Sequence, residues 1–301
     1  MTPTVVLTQV YLKLPNRMYK HTQHCHYNTI CGLSARSEYF YNALVNKKRN
    51  VVQNKLSVVD FEPSDFELVV HYIYTAQDCF RTVHECCVGL YAGDRFGMAD
   101  IKSKCSRRLC NHMRNDSSTA PLIVRFIDRF DSRDKNLFIY DEANDIIRRN
   151  YQSIINSETV KTYERETMEQ LLEMSIEGDV PEIDVFRALI KWATSECIRM
   201  ERDTVPEEVR QVCGDMLRLV RFPLIAVAEL STEVMESGLL SLEHMALLLG
   251  RAYNPSIEVP FIMEKRQSAA PNRQVITITI GSLHSQTGRL TMLFTFPMCC
   301  T

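Results

Sequence analysis

Glycine and proline are scarce, at 10 and 11 of 301 residues, and the scarcity removes several architectures at once. Collagen-like and linker-rich chains need far more of both, and glycine-looped phosphate cradles need them at fixed spacing. No Gly-x-Gly-x-x-Gly, Walker A or His-Glu-x-x-His sequence occurs. An excess of one charge is also missing: 35 basic residues face 37 acidic ones, for a net charge of −2. That balance supplies no field for nucleic acid or an anionic membrane, so partners must be recognised by shape and local chemistry. Long apolar runs are absent too. Stretches such as Met245-Ala246-Leu247-Leu248-Leu249 fall far short of the ~20 residues that span a bilayer.

What is present is ordinary globular material. Hydrophobic residues make up 45% and charged residues 24%, enough to build a core and too apolar for general disorder. At about 150 residues per domain the length predicts roughly two domains. Cysteine is plentiful, with 11 residues, an odd number that cannot close into a full disulfide set. The opening Met1-Thr2-Pro3-Thr4-Val5-Val6 has no basic n-region, so the expectation is a cytoplasmic protein with reduced thiols.

Patterning changes along the chain. Val10-Tyr11-Leu12-Lys13-Leu14 alternates and stops at Pro15-Asn16, which predicts a strand and a turn. Leu56 to Phe61 also looks extended, and Pro63-Ser64-Asp65 then marks a helix start, with Phe66, Val69, Val70 and Ile73 on one stripe. Gly89, Gly93 and Gly97 stand four apart on a helical pattern that Asp94 and Arg95 make too polar for a membrane. They predict close helix packing inside a water-soluble domain.

Asn115 to Pro121 is a polar, turn-rich break and the expected domain boundary. Beyond it the patterns predict helices over Leu122–Phe130, Leu137–Asn150, Met168–Met174, Ile183–Ile198 and Pro206–Val220. The fourth is the clearest: Glu182 and Asp184 suit the helix dipole, and Ile183, Phe186, Leu189, Ile190, Ala193 and Cys197 form its apolar stripe. The single tryptophan, Trp192, sits at that stripe's margin as a core or domain-contact residue. Val275 to Ile280 and Leu290 to Phe296 are two β-prone runs around a Gly281 to Gly288 turn region. Two strands are marginal alone, so this tail must pair with something or stay frayed.

Catalytic and metal-binding signals are thin. His21, His24, Cys25 and His26, with Cys31 beyond, form the densest ligand-like cluster. No second Cys/His pair follows at zinc-finger spacing, so no metal and no cofactor are expected. Cys86, Cys87, Cys105 and Cys110 lie in helical stretches and read as small apolar core residues. Nothing places a cysteine beside an activating base, and the chain is read as a non-enzyme. Lys47-Lys48-Arg49 lacks interleaved aromatic residues and reads as a solvated loop.

Three stretches of the first half resemble a BTB (POZ) domain: Ser34-Ala35-Arg36-Ser37-Glu38-Tyr39-Phe40, Val59 to Phe66, and Tyr72-Ile73-Tyr74-Thr75. Asp179-Val180-Pro181-Glu182 leading into Val185-Phe186 and Trp192 resembles a BACK domain. Leu219 to Leu224, Ser237 to Leu240 and Asn254-Pro255 resemble the BACK segment of the BTBD subfamily. The resemblance implies an α+β protein with a BTB/POZ α/β domain at 5–112, an all-α BACK domain at 119–262, and a short β segment at 274–297 that would be a remnant of a PHR-type domain. It implies a dimeric adaptor that self-associates through the BTB domain, docks on cullin-3 and holds an unknown protein substrate. The alternative is a cullin-independent scaffold that regulates related BTB proteins by heterodimerisation.

On this resemblance the cullin-like face falls at Val45, Lys48, Asn50, Tyr74 and His84, and the dimer face at Val10, Leu12, Leu33 and Tyr39. Two departures stand. The hydrophobic-x-Glu motif of cullin-3-binding relatives would fall at Lys48-Arg49-Asn50, and no glutamate lies between Glu38 and Glu62. The histidine expected before the Ser-x-x-Phe helix would be at Thr29, whereas His26 lies three residues earlier.

Overall fold

A computed structural model describes residues 5–7, 35–44, 56–58, 61–130, 136–174 and 179–266. Val5–Leu7 (β1) pairs antiparallel with Leu56–Val58 (β2), Val5 opposite Val58 and Leu7 opposite Leu56. The expected extended run after Leu56 is thus present as a short strand. The other expected strands, Val10 to Leu14 and the segment 274–297, lie outside the described residues. Among the described residues everything else regular is helical, so the α+β balance expected from sequence rests here on one two-stranded pair.

The first helices are α1 (Glu38–Leu44), α2 (Pro63–Thr75), α3 (Val83–Phe96) and α4 (Ala99–Asn115). α2 starts where proline suits the first turn, and it buries Phe66, Val69, Val70 and Ile73 as the stripe required. α3 opens on a capping box: Thr82 Oγ1 accepts from the Glu85 backbone N–H at 3.2 Å, and the Glu85 carboxylate accepts from the Thr82 N–H at 2.8 Å. It ends at Gly97, whose φ of 67° lies in the left-handed region that favours glycine.

α3 and α4 then pack against each other as a tight hairpin. A Cβ on Gly89 would sit 2.5 Å from Cys105 Sγ, and one on Gly93 would sit 2.7 Å from Lys102 Cβ, so these two glycines pack closely as expected, whereas Gly97 has open space around it and serves as the helix cap. Phe96 anchors the other side. Phe40 and Phe61 stack on it at 4.8 and 5.5 Å, and the Ser37 hydroxyl donates to its carbonyl at 2.6 Å.

The polar stretch expected as a boundary is a 3-10 turn (Ser117–Thr119), capped by Asp116, that runs straight into α5 (Ala120–Arg129). The helices α6 (Leu137–Asn156), α7 (Arg165–Glu173), α8 (Glu182–Arg199) and α9 (Pro206–Cys213) follow. α6 is longer than its sequence pattern, because it continues past a break in helical geometry at Asn150. α9 is shorter, because Gly214, at a φ of 52°, turns the chain into a 3-10 segment, Gly214–Leu219. Ser241 caps the last helix, α10 (Leu242–Tyr253), which had no helical expectation.

α8 is the axis of this half. Its stripe residues Ile183, Phe186, Leu189, Ala193 and Cys197 are buried, and so are Val185 and Trp192. Trp192 is fully buried and donates from Nε1 to the Tyr163 carbonyl at 3.0 Å, which makes it a core residue rather than a marginal one. Tyr163 in turn donates to the Ser118 carbonyl at 2.7 Å, so the α8 core is hydrogen-bonded back to the 3-10 turn after α4.

Candidate protein-interaction surface

Two helix starts and one helix flank meet at His84. The capping box fixes the first turn of α3, and backbone N–H groups of Thr82 and Arg81 hold the Glu85 carboxyl below its ordinary range. His84, one residue earlier, is 63% exposed and places Nε2 2.9 Å from the Asp65 carboxylate in the first turn of α2. Its ring edge faces Phe126 of α5 at 6.3 Å. The imidazole therefore bridges α2, α3 and α5 while remaining open to solvent.

Phe126 belongs to a row of rings. It contacts Phe130 at 4.7 Å, Phe130 stacks on Tyr91 of α3 at 4.4 Å, and Tyr91 touches Phe61 at 5.1 Å. Phe61 stacks on Phe96, so one aromatic ladder runs from the centre of the α1–α4 unit onto the first helix beyond it. Offset stacks of this kind contribute about 0.5–1.5 kcal/mol per pair beyond area burial. Sequence reading missed Asp65, Tyr91, Phe126 and Phe130 as surface-building residues. The available signal was the i, i+4 spacing of Phe126 and Phe130 on an exposed helix flank.

Of the residues assigned to a cullin-like face, Tyr74 and His84 are described, and Val45, Lys48 and Asn50 lie outside the described residues. Tyr74 sits in the last turn of α2, half-buried against the core, while the Asp65 partner of His84 sits in the first turn. Nine residues apart on one helix is about 13 Å along the axis and about half a revolution around it, so the two flank α2 on opposite sides and share no contact patch on it. Of the dimer-face residues, Val10, Leu12 and Leu33 lie outside the described residues. Tyr39 is half-buried against Phe40 and Phe96, with the Arg95 guanidinium 5.4 Å above its ring.

The clefts offer little chemistry. One of 320 Å³ is lined by Arg36, Tyr72, Ala76, Met98 and Asp100. Burial, and then the 2.7 Å hydrogen bond donated to Asp100, push the Tyr72 hydroxyl up to about 12, so it stays protonated at neutral pH and cannot act as a base. A second cleft of 270 Å³, lined by Arg81, Arg108, Asn111, His112 and Asn115, holds Arg108 in a fork on Asp78.

The buried thiols among the described residues are equally unsuited to attack. Cys86, Cys87, Cys105 and Cys110 are free and buried, as the sequence predicts. Burial pushes Cys87 above the ordinary thiol range, and pushes Cys213 up to about 12. Cys105 donates to Cys86, which holds Cys86 down and Cys105 up, but both are sealed in the α3–α4 core. Among the described residues no three His, Cys, Asp or Glu side chains converge to hold a metal. The His21–His26 cluster and Cys31 lie outside them. Among the described residues no helix is long and apolar enough to cross a membrane.

A deeper polar feature supports the helical half. Glu182, 5% exposed, accepts from Arg266 Nε at 2.9 Å and from the Arg221 backbone N–H and guanidinium at 3.2 and 3.4 Å. Arg266 also donates to the Leu172 and Leu219 carbonyls and lies 5.8 Å from the Tyr151 ring centre. Burial, then the charge of Arg266, pull the Arg221 guanidinium below its ordinary range.

Comparison with known proteins fits this geometry. Residues 21–113 match the model of the BTB/POZ domain, a span that takes in α1 to α4. BTB/POZ domain-containing protein 6 of Xenopus tropicalis is 24% identical over 225 residues, 74% of this chain and 41% of that protein. The human BTB/POZ domain-containing protein 6 is 24% identical over 225 residues, 74% of this chain and 40% of its own length. Mouse BTB/POZ domain-containing protein 3 is 24% identical over 243 residues, 80% of this chain and 43% of its own length. The chain thus spans about two fifths of the length of these relatives. Residues 21–113 are thus a BTB/POZ domain, and over about three quarters of its length the chain is similar to BTB/POZ domain-containing proteins 6 and 3.

Proposed function

We propose that this chain is a dimeric, non-enzymatic cytoplasmic adaptor. In this reading the BTB/POZ domain self-associates and docks on cullin-3, the helices of residues 119–262 form a BACK domain, and an unidentified protein substrate is presented for ubiquitination. The observation that supports it is the aromatic ladder from Phe96 to Phe126, which packs the BTB/POZ helices against the first helix of the arm. The solvent-open His84 bridge lies where the two units meet.

The test is binding of the full chain to the amino-terminal half of cullin-3, with light scattering to establish a dimer. Micromolar or tighter binding by a dimer supports the reading. A dimer that does not bind removes the ligase half, and a stable protomer at high dilution removes the reading as a whole. Rebuilding the hydrophobic-x-Glu motif with Lys48→Leu and Asn50→Glu is expected to tighten cullin-3 binding by about tenfold, or about 1.4 kcal/mol.

The second reading is a regulator that pairs with full-length BTB relatives without engaging a ligase. Lys48-Arg49-Asn50 in place of the motif favours it. Heterodimer formation on mixing with BTB/POZ domain-containing protein 6, together with no cullin-3 binding, would select it.

A further inference from the structure

α10 carries two apolar stripes and buries only one of them. Met245 and Leu248 face the core, while Leu242, Ala246, Leu249 and Tyr253, at i, i+4, i+7 and i+11, form a second stripe on the adjoining face, in which Leu249 is half-buried against the core and the other three are exposed. Leu242 is 84% exposed and Tyr253 is 86% exposed, the two most exposed large hydrophobic residues described. On its other flank α10 is covered by the chain that follows it. Gly250 lies against Ile257, Arg251 donates to the Ile257 carbonyl, and Phe261 meets His244 at 5.4 Å. The chain therefore runs back along α10 toward Leu242 and is then pinned at Arg266 by the buried Glu182.

Beyond that pin the sequence supplies an apolar surface of matching kind. Ile276, Ile278 and Ile280 alternate with Thr277 and Thr279, and Met292, Phe294 and Phe296 fall on one parity of the second run. Paired as a hairpin, the two runs would have one strongly apolar face, and two strands with such a face need further strands or packing against a helix to be stable. From Arg266 to Val275 the chain can reach about 30 Å, more than the length of about 18 Å of α10.

We infer that the stripe of Leu242, Ala246, Leu249 and Tyr253 is the docking face for the chain's own residues 275–296. The segment would lie as a two-stranded ribbon across α10, its isoleucine and phenylalanine face on the helix. This arrangement is independent of cullin binding and of dimerisation.

Photo-cross-linking of the full chain with Leu242→p-benzoylphenylalanine tests it. The expected product keeps the mass of one chain and maps to residues 275–296 after digestion. An adduct joining two chains, an adduct elsewhere, or no adduct overturns the proposal. In parallel, amides of 275–296 in the native chain should show hydrogen-exchange protection that Leu242→Asp with Tyr253→Asp accelerates by at least about tenfold, while α8 amides stay unchanged. Equal exchange in the two proteins counts against it equally.

Discussion

At the residue scale, the sequence was most misleading at Glu182. A glutamate after a proline at a helix start suits the dipole and is ordinarily solvated, yet here it is the hub of a buried ionic triad with Arg221 and Arg266. No local pattern could reveal this, because Arg266 lies 84 residues away. Removing the one acid leaves two buried guanidinium groups uncompensated, and a broken buried pair typically costs about 3–5 kcal/mol. Glu182→Gln should lose stability on that scale in urea denaturation. Replacing all three by methionine should cost less than Glu182→Gln alone, because the desolvation cost of the charges disappears with them.

Single carboxylates also set the acid limit. Arg108 holds Asp78 below its ordinary value of 3.8, backbone amides hold Glu85 below 4.5, and Arg187 holds Glu233 below 4.5. A folded-state value below the unfolded one contributes stability that is present at neutral pH. It begins to disappear as pH falls below about 4.5 and is gone once the folded carboxyl is itself protonated. The urea midpoint should therefore fall between pH 7 and pH 3. Asp78→Asn should narrow that fall, and the change should be modest because Asp78 and Arg108 are each about a third exposed to screening water.

At the element scale, legibility followed periodicity. α2 and α8 were readable because each has a continuous stripe whose spacing has only one helical solution. α8 buries more than its stripe, since α6, α7 and α9 surround it, and this tertiary fact buries Val185, which the stripe left out, and carries Trp192 from the stripe's margin into the core. The end of α9 depended on Gly214 entering a positive φ, a choice that composition permits without requiring. The spacing of Gly89 and Gly93 was informative because only a bare Cα allows such an approach between α3 and α4. On an exposed helix, glycine to alanine gains up to about 1 kcal/mol. At Gly93 the new methyl would meet Lys102 Cβ and backbone at 2.7 and 3.0 Å, so the sign reverses. Gly93→Ala should destabilise by about 1–3 kcal/mol, as overpacking does, read as a lower melting temperature.

At the scale of the whole molecule, the BTB/POZ assignment was legible in ordered motifs, while the surface between the two halves was not. Phe126 and Phe130 lie on a short helix, and their partners Tyr91 and His84 lie on another, so the ladder exists only after folding. That ladder runs across the polar stretch that sequence alone marks as a break, the Trp192–Tyr163–Ser118 hydrogen bonds tie α8 to that stretch, and α4 packs on α6 beyond it. Two domains joined by a loose linker melt separately, whereas a shared core makes unfolding cooperative. The native chain should show a single calorimetric transition whose calorimetric and van't Hoff enthalpies agree. Phe126→Ala with Phe130→Ala removes the two rings that α5 contributes to the row, at about 3–5 kcal/mol for each ring that is well packed and less for these half-exposed ones. The expected result is a melting curve that splits in two, with the earlier transition leaving the Trp192 environment intact in fluorescence. One undivided transition at lower temperature would mean that the packing of α4 on α6 couples the halves without the ladder.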